Sequence, residues 1–130
     1  MGTSTQALPK LGEAFQGGKF AGITTDKQGN VYALISLDDK PSTALNWQDA
    51  MAWAKGLGNG ATLPNCVESA MLFANLQGEF YKDWCWTCES FDSYWAWYQY
   101  FSYGLQHGNR KYDELRARAV RRLPIQSLVI

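Results

Sequence analysis

Cys85-Trp-Thr-Cys88 is the pair of residues in this chain whose type and spacing most directly invite chemistry. Two thiolates three residues apart can share a metal ion, and a thiol of lowered pKa can attack a disulfide. On a strand, however, residues i and i+3 point to opposite faces, so the pair would not converge. Cys66 and His107 remain to complete a four-ligand set, and they bring no second pair at ligand spacing. The sequence therefore predicts buried structural thiols, no metal and no cofactor. His107, the only histidine, has no Ser or carboxylate at a recognisable motif spacing, so no catalytic residue is assigned.

The second candidate chemistry is recognition by aromatic side chains. Twelve of the 19 aromatic residues fall between Phe80 and Tyr103, and Tyr, Ser, Gly and Asn crowd the stretch from Ser90 to Tyr112. Tyrosine offers rigid amphipathic area at low entropic cost, while small polar residues adapt their hydrogen bonds, as in antibody contact surfaces. Phe91, Asp92, Tyr94, Tyr98, Tyr100, Tyr103, His107, Asn109 and Tyr112 are the expected binding residues. Alternation along the strand places Trp95, Trp97, Gln99 and Phe101 on one face and Ala96, Tyr98 and Tyr100 on the other. The expectation is an exposed tyrosine set and a mostly buried tryptophan set.

A third candidate is the basic ending. All five arginines lie after residue 109, where six Lys and Arg stand against two Asp and Glu. Arg116, Arg118 and Arg122 would share one strand face and could meet an acidic partner. The alternative is that one arginine pairs with Glu68, Glu89 or another carboxylate and closes the sheet onto a helix. A net charge of zero supplies no strong positive field, which argues against nucleic acid.

These residues need a scaffold. At 130 residues with 46% hydrophobic and 18% charged content, the chain reads as an N-terminal arm over 1–18 and a single domain over 19–130. Phe20 to Thr25 and Val31 to Leu37 read as a β-hairpin at one sheet edge, joined by the turn Asp26 to Asn30. Asn46 caps a first helix with Trp47, Ala50, Met51 and Ala54 on one face, ending near Gly56. Asn65 caps a second, with Glu68 reaching back to it and Val67, Ala70, Met71 and Ala74 forming the apolar stripe, ending near Gly78. Strands follow at about Trp84 to Glu89, Trp95 to Phe101 and Arg116 to Leu123, with a turn at Ser90 to Tyr94 and a loop from Tyr103 to Asp113. The class is α+β.

Several of these pieces, in order, resemble a known family. Trp47-Gln-Asp-Ala50, Leu63-Pro-Asn65 with Glu68, Trp84-Cys-Trp-Thr-Cys-Glu89, Ala96-Trp-Tyr-Gln-Tyr-Phe101 with Gly104, and Arg118-Ala-Val-Arg121 are similar to the C-terminal domain of Lcl-type collagen-like adhesins. The resemblance covers about residues 44–123. It implies the C-type-lectin-like fold shared with formylglycine-generating enzymes and retroelement-diversified variable proteins. Thr62 stands where the family usually has Arg, and Cys85 and Cys88 replace its usual serines. The Glu-Pro-Asn and Trp-Asn-Asp triplets that many lectins use for calcium are missing, so no calcium is expected. The doubled basic ending is similar to stand-alone copies carried by phages and prophages. In diversified relatives the variable positions yield Asn, Tyr, Ser, Asp, His, Phe and Gly, which fits Ser90, Phe91, Asp92, Tyr94, Tyr98, Tyr100, Ser102, Tyr103, His107 and Asn109.

The functional expectation is a non-catalytic binding module that meets a protein or cell-surface ligand, with self-association into a homo-oligomer compatible with it. The alternative is an intracellular phage inhibitor of a host protein or defence complex. The N-terminus lacks the basic and apolar pattern of a secretory signal, and no 18-residue apolar run exists to enter a membrane. Synthesis in the cytoplasm, followed by a place on the virion or in the host cytoplasm, is the expected location.

Overall fold

The computed structural model describes residues 8–80 and 82–125. It is an α+β arrangement with two antiparallel sheets and two helices. Strands β1 (Ala14–Phe15), β2 (Gly18–Thr25), β3 (Val31–Leu37) and β7 (Val120–Pro124) form one sheet in that order. Strands β4 (Trp84–Ser90), β5 (Trp95–Tyr100) and β6 (Leu105–Arg110) form the other. Helices α1 (Trp47–Gly56) and α2 (Cys66–Asn75) and a 3-10 turn, Gln77–Phe80, lie between β3 and β4 in sequence.

The first hairpin forms where expected. Its turn is held by the Asp26 carboxylate, which accepts the N–H groups of Gln28 and Asn30 at 2.9 and 3.0 Å. Its place differs: β2 and β3 are the inner strands, because β1 pairs outside β2 and β7 outside β3. Part of the expected arm is thus in the sheet, with Phe15 buried; residues 1–7 of that arm lie outside the described residues.

The C-terminal strand also differs from expectation. It begins at Val120 and leaves β4–β6 for the first sheet, pairing Ser36 with Val120 and Tyr32 with Pro124. The preceding segment is tied by single bridges from Leu115 to Leu45, just before α1, and from Arg116 to Cys85 on β4.

Both helix caps agree with the sequence. The Asn46 side chain accepts the Asp49 N–H at 2.9 Å, and Asn65 and Glu68 form a reciprocal capping box at 2.7 and 2.8 Å. The buried face of α1 carries Ala50 and Ala54 as expected. That of α2 is a correction. Val67, Ala70 and Ala74 are exposed, Met71 is half-buried, and the face turned inward carries Glu68, Ser69 and Leu72, while Leu76 ends the helix before Gly78.

Two apolar clusters lie on opposite sides of the β4–β6 sheet. Trp86, Ala96 and Tyr98 pack with Ala50, Ala54, Phe20 and Ile35 in one. Cys85 and Phe101 pack with Leu72, Leu76, Phe80 and Leu34 in the other. The stretch from Tyr103 to Asp113, expected as a loop, contains strand β6, paired without interruption from Trp95–Arg110 to Tyr100–Leu105. Gly104 makes the tight return from β5 possible: its φ is +74°, and an added Cβ would lie 2.6 Å from the Phe73 ring. Gly104→Ala should cost about 1–3 kcal/mol in urea unfolding, because strain and contact act together.

Candidate functional site

The β4–β5 turn is built by one side chain. The Asp92 Oδ1 accepts the N–H groups of Tyr94 and Trp95 at 2.8 and 2.9 Å, while Phe91 N–H donates to the Trp95 carbonyl at 2.8 Å. This Asx-type closure turns Phe91 and Tyr94 outward, leaving them 57% and 73% exposed. Trp95, expected inside, is 38% exposed at the start of β5.

The expected tyrosine set does not share one environment. Tyr98 is 7% exposed and Ala96 is fully buried, whereas Tyr100 is half-buried. Burial pushes the Tyr98 phenol up, with the neighbouring Tyr100 adding to it. The reason is that both faces of β5 are covered, one by each apolar cluster, so alternation cannot separate inside from outside. The tryptophan-side set is mixed likewise: Gln99 and Phe101 are buried, Trp97 is half-buried and Trp95 is open.

The exposed phenyl, phenol and indole rings fall at two ends of the sheet. Phe91, Asp92, Tyr94, Trp95 and Tyr112 lie at the β4–β5 turn end, where β6 also finishes. Tyr103 and Leu105 lie at the β5–β6 turn end beside Trp84 and Tyr100, whose rings stand 4.8 Å apart. Five strand rises separate Trp95 from Tyr100, about 17 Å. His107 and Asn109 sit between the ends on β6. His107 is exposed beside the Tyr98 ring at 6.2 Å, and the Asn109 amide donates to Asp113 at 2.9 Å.

The β4–β5 turn end carries two depressions. One, of about 280 Å³, is lined by Phe91, Asp92, Trp95 and Gly108. A Cβ on Gly108 would stand 3.7 Å from both the Phe91 and Trp95 rings, so the missing side chain keeps its floor low. Phe91 leans on Trp97 at 5.0 Å, and the Arg110 guanidinium lies 5.7 Å from the Trp95 ring centroid while donating to the Tyr112 hydroxyl. The other depression, of about 260 Å³, is lined by Asn46, Gln48, Ser93, Tyr94, Lys111 and Tyr112. Lys111 lies 4.5 Å over Trp47, whose indole N–H donates to the Thr87 carbonyl at 2.8 Å. Helix α1 and strand β4 thus hold this slot in place. Trp95, Lys111, Asn46 and Gln48 are absent from the sequence-based site; alternation places Trp95 in the inward set, and Asn46 and Gln48 come from a segment about 50 residues away.

The arginines do not form the expected strip. Arg118 is 4% exposed, donating to the carbonyls of Leu37 and Glu79 at 3.1 and 3.2 Å with its guanidinium 4.7 Å from the Phe80 centroid. Arg122 makes a bidentate pair with the fully buried Glu68 at 2.6 and 2.7 Å. Arg116 is exposed on a segment that is bridged to β4 rather than laid out as a strand face, and Arg122, although its side chain is 35% exposed, has its guanidinium engaged by Glu68. The bland alternative from the sequence, one arginine closing the sheet onto the second helix, describes Arg122.

The cysteines divide as strand geometry requires: Cys85 belongs to one apolar cluster and Cys88 packs against the other. Burial pushes all three thiols up, Cys66 to about 12 with help from the Glu89 carboxylate. Thiols so shifted stay protonated near neutral pH and are poor nucleophiles. Among the described residues no three His, Cys, Asp or Glu side chains gather as a metal-ligand set. Nor is any helix among them long and apolar enough to cross a membrane. Comparison with known proteins finds no family model that matches the chain and no matching curated protein.

Proposed function

We propose that this chain is a C-type-lectin-like, non-catalytic binding module, encoded by a phage or prophage, that meets a macromolecular partner through the β4–β5 turn end. The observation that carries the reading is the cluster of open rings there: Phe91 and Tyr94, on a turn tied down by Asp92, are 57% and 73% exposed, and Tyr112, just past the end of β6, is 64% exposed. Rings held open on a braced backbone cost little entropy to immobilise, which is the condition for a binding hot spot. The lectin-like fold and the phage origin rest on the sequence resemblance, and the two-helix, two-sheet α+β layout is compatible with that fold.

The test compares wild type with two variants, Tyr94→Ser/Tyr112→Ser at one end and Tyr103→Ser/Leu105→Ser at the other, as baits against purified phage particles and host-cell extract. A partner lost by the first variant and kept by the second supports the reading, with affinity falling about 100-fold. Equal retention by both overturns it. Whether the captured partner comes from particles or from host cytoplasm separates receptor binding from inhibition.

A further inference from the structure

The cleft beside the β4–β5 turn combines two aromatic walls with a carboxylate. Phe91 and Trp95 flank it, Gly108 leaves its floor open, and Asp92 lines it. Of the Asp92 carboxylate, Oδ1 is occupied by the Tyr94 and Trp95 N–H groups; no hydrogen bond ties Oδ2 among the described residues. We infer that this cleft receives a cationic side chain, lysine or arginine, presented by the partner protein. The inference rests on the surface reading above and names the chemistry of its anchor.

Two points favour a cation over a neutral apolar group. Ring faces attract cations through their quadrupole, and the effect grows as water is excluded. The fixed charge lining the cleft is negative. The Arg110 guanidinium, 5.7 Å from the Trp95 ring centroid, is a neighbouring positive charge. The same arginine sets the sign of a control. A cationic ligand is repelled by Arg110, whereas an anionic ligand would depend on it.

The probe is choline, compared with its neutral isostere 3,3-dimethyl-1-butanol, followed through the Trp95 indole N–H resonance, which Trp95→Phe assigns. Choline should bind saturably at the Phe91, Trp95 and Gly108 resonances, about 5-fold tighter than the isostere. Asp92→Asn keeps the Oδ1 acceptor that holds the turn and should weaken choline about 3-fold with little effect on the isostere. Arg110→Gln should tighten choline. Equal binding of the two probes, absence of saturable shifts, or weaker choline binding in Arg110→Gln overturns the inference; the probe comparison itself needs no variant to fold.

If choline fails while the Tyr94/Tyr112 variant still loses its partner, the surface reading stands and the cation is wrong. If that variant keeps its partner, the surface reading falls whatever choline does.

Discussion

Replacing Arg122 with Met should destabilise the protein by about 2–4 kcal/mol at neutral pH, and the penalty should shrink in acid. Glu68 is fully buried on α2, and Arg122 reaches it from β7 with two hydrogen bonds while the Tyr32 hydroxyl donates a third at 2.6 Å. Removing the cation leaves a buried carboxylate uncompensated, which costs about 3–5 kcal/mol where both partners are fully enclosed. A range lower by about 1 kcal/mol applies because the Arg122 side chain is 35% exposed, and water screens part of the attraction.

The pH dependence has a definite sign. Burial pushes the Glu68 carboxyl up, but the bonds from Arg122, Tyr32 and the Asn65 N–H together outweigh it and hold the group below its ordinary value of 4.5. In wild type, Glu68 therefore contributes stability that is fully present above that ordinary value and is lost as pH falls through the lower folded one. In Arg122→Met the largest favourable partner is gone, burial dominates and the folded value rises. The variant is then relieved by protonation as pH falls. Urea unfolding of both proteins from pH 7 to pH 3 should show curves that converge. A constant gap would mean that Arg122 acts through packing of its stem and not through the buried charge.

This pair also shows which parts of the molecule sequence could reveal. Helix caps are local, and Asn46, Asn65 and the reciprocal Glu68 contact were legible because donor and acceptor lie within four residues. The inward face of α2 was not. An apolar-stripe rule picks Val67, Ala70 and Ala74, yet the helix turns Glu68 inward because Arg122, 54 residues later, makes that position habitable. Strand β6 was hidden for a related reason. Leu-Gln-His-Gly-Asn-Arg has weak strand propensity and owes its conformation to pairing with β5. The recognition residues were legible as a composition, but not as a place. Spacing along the chain cannot show that Tyr94 and Tyr103 stand at opposite ends of a sheet, with Tyr98 sealed between them.

That division makes the tyrosines separable by experiment. Tyr98→Ala should cost about 3–5 kcal/mol, since a buried ring is removed from a packed sheet. Tyr98 stacks on Trp84 at 5.3 Å with planes 8° apart, pairs across the strand with Trp86 and His107, and touches the cluster that holds α1. Tyr98→Phe should change stability by less than about 0.5 kcal/mol, because the hydroxyl makes no hydrogen bond among the described residues. Tyr94→Ala should be equally silent in unfolding, its ring being 73% exposed. In binding the order reverses. Tyr94→Ala should weaken the partner by at least about 10-fold, while Tyr98→Phe leaves affinity unchanged. If Tyr98→Phe instead lost the partner with its melting transition intact, the buried phenol would have to be reachable from outside, and the recognition surface would extend along β5 rather than ending at the turn.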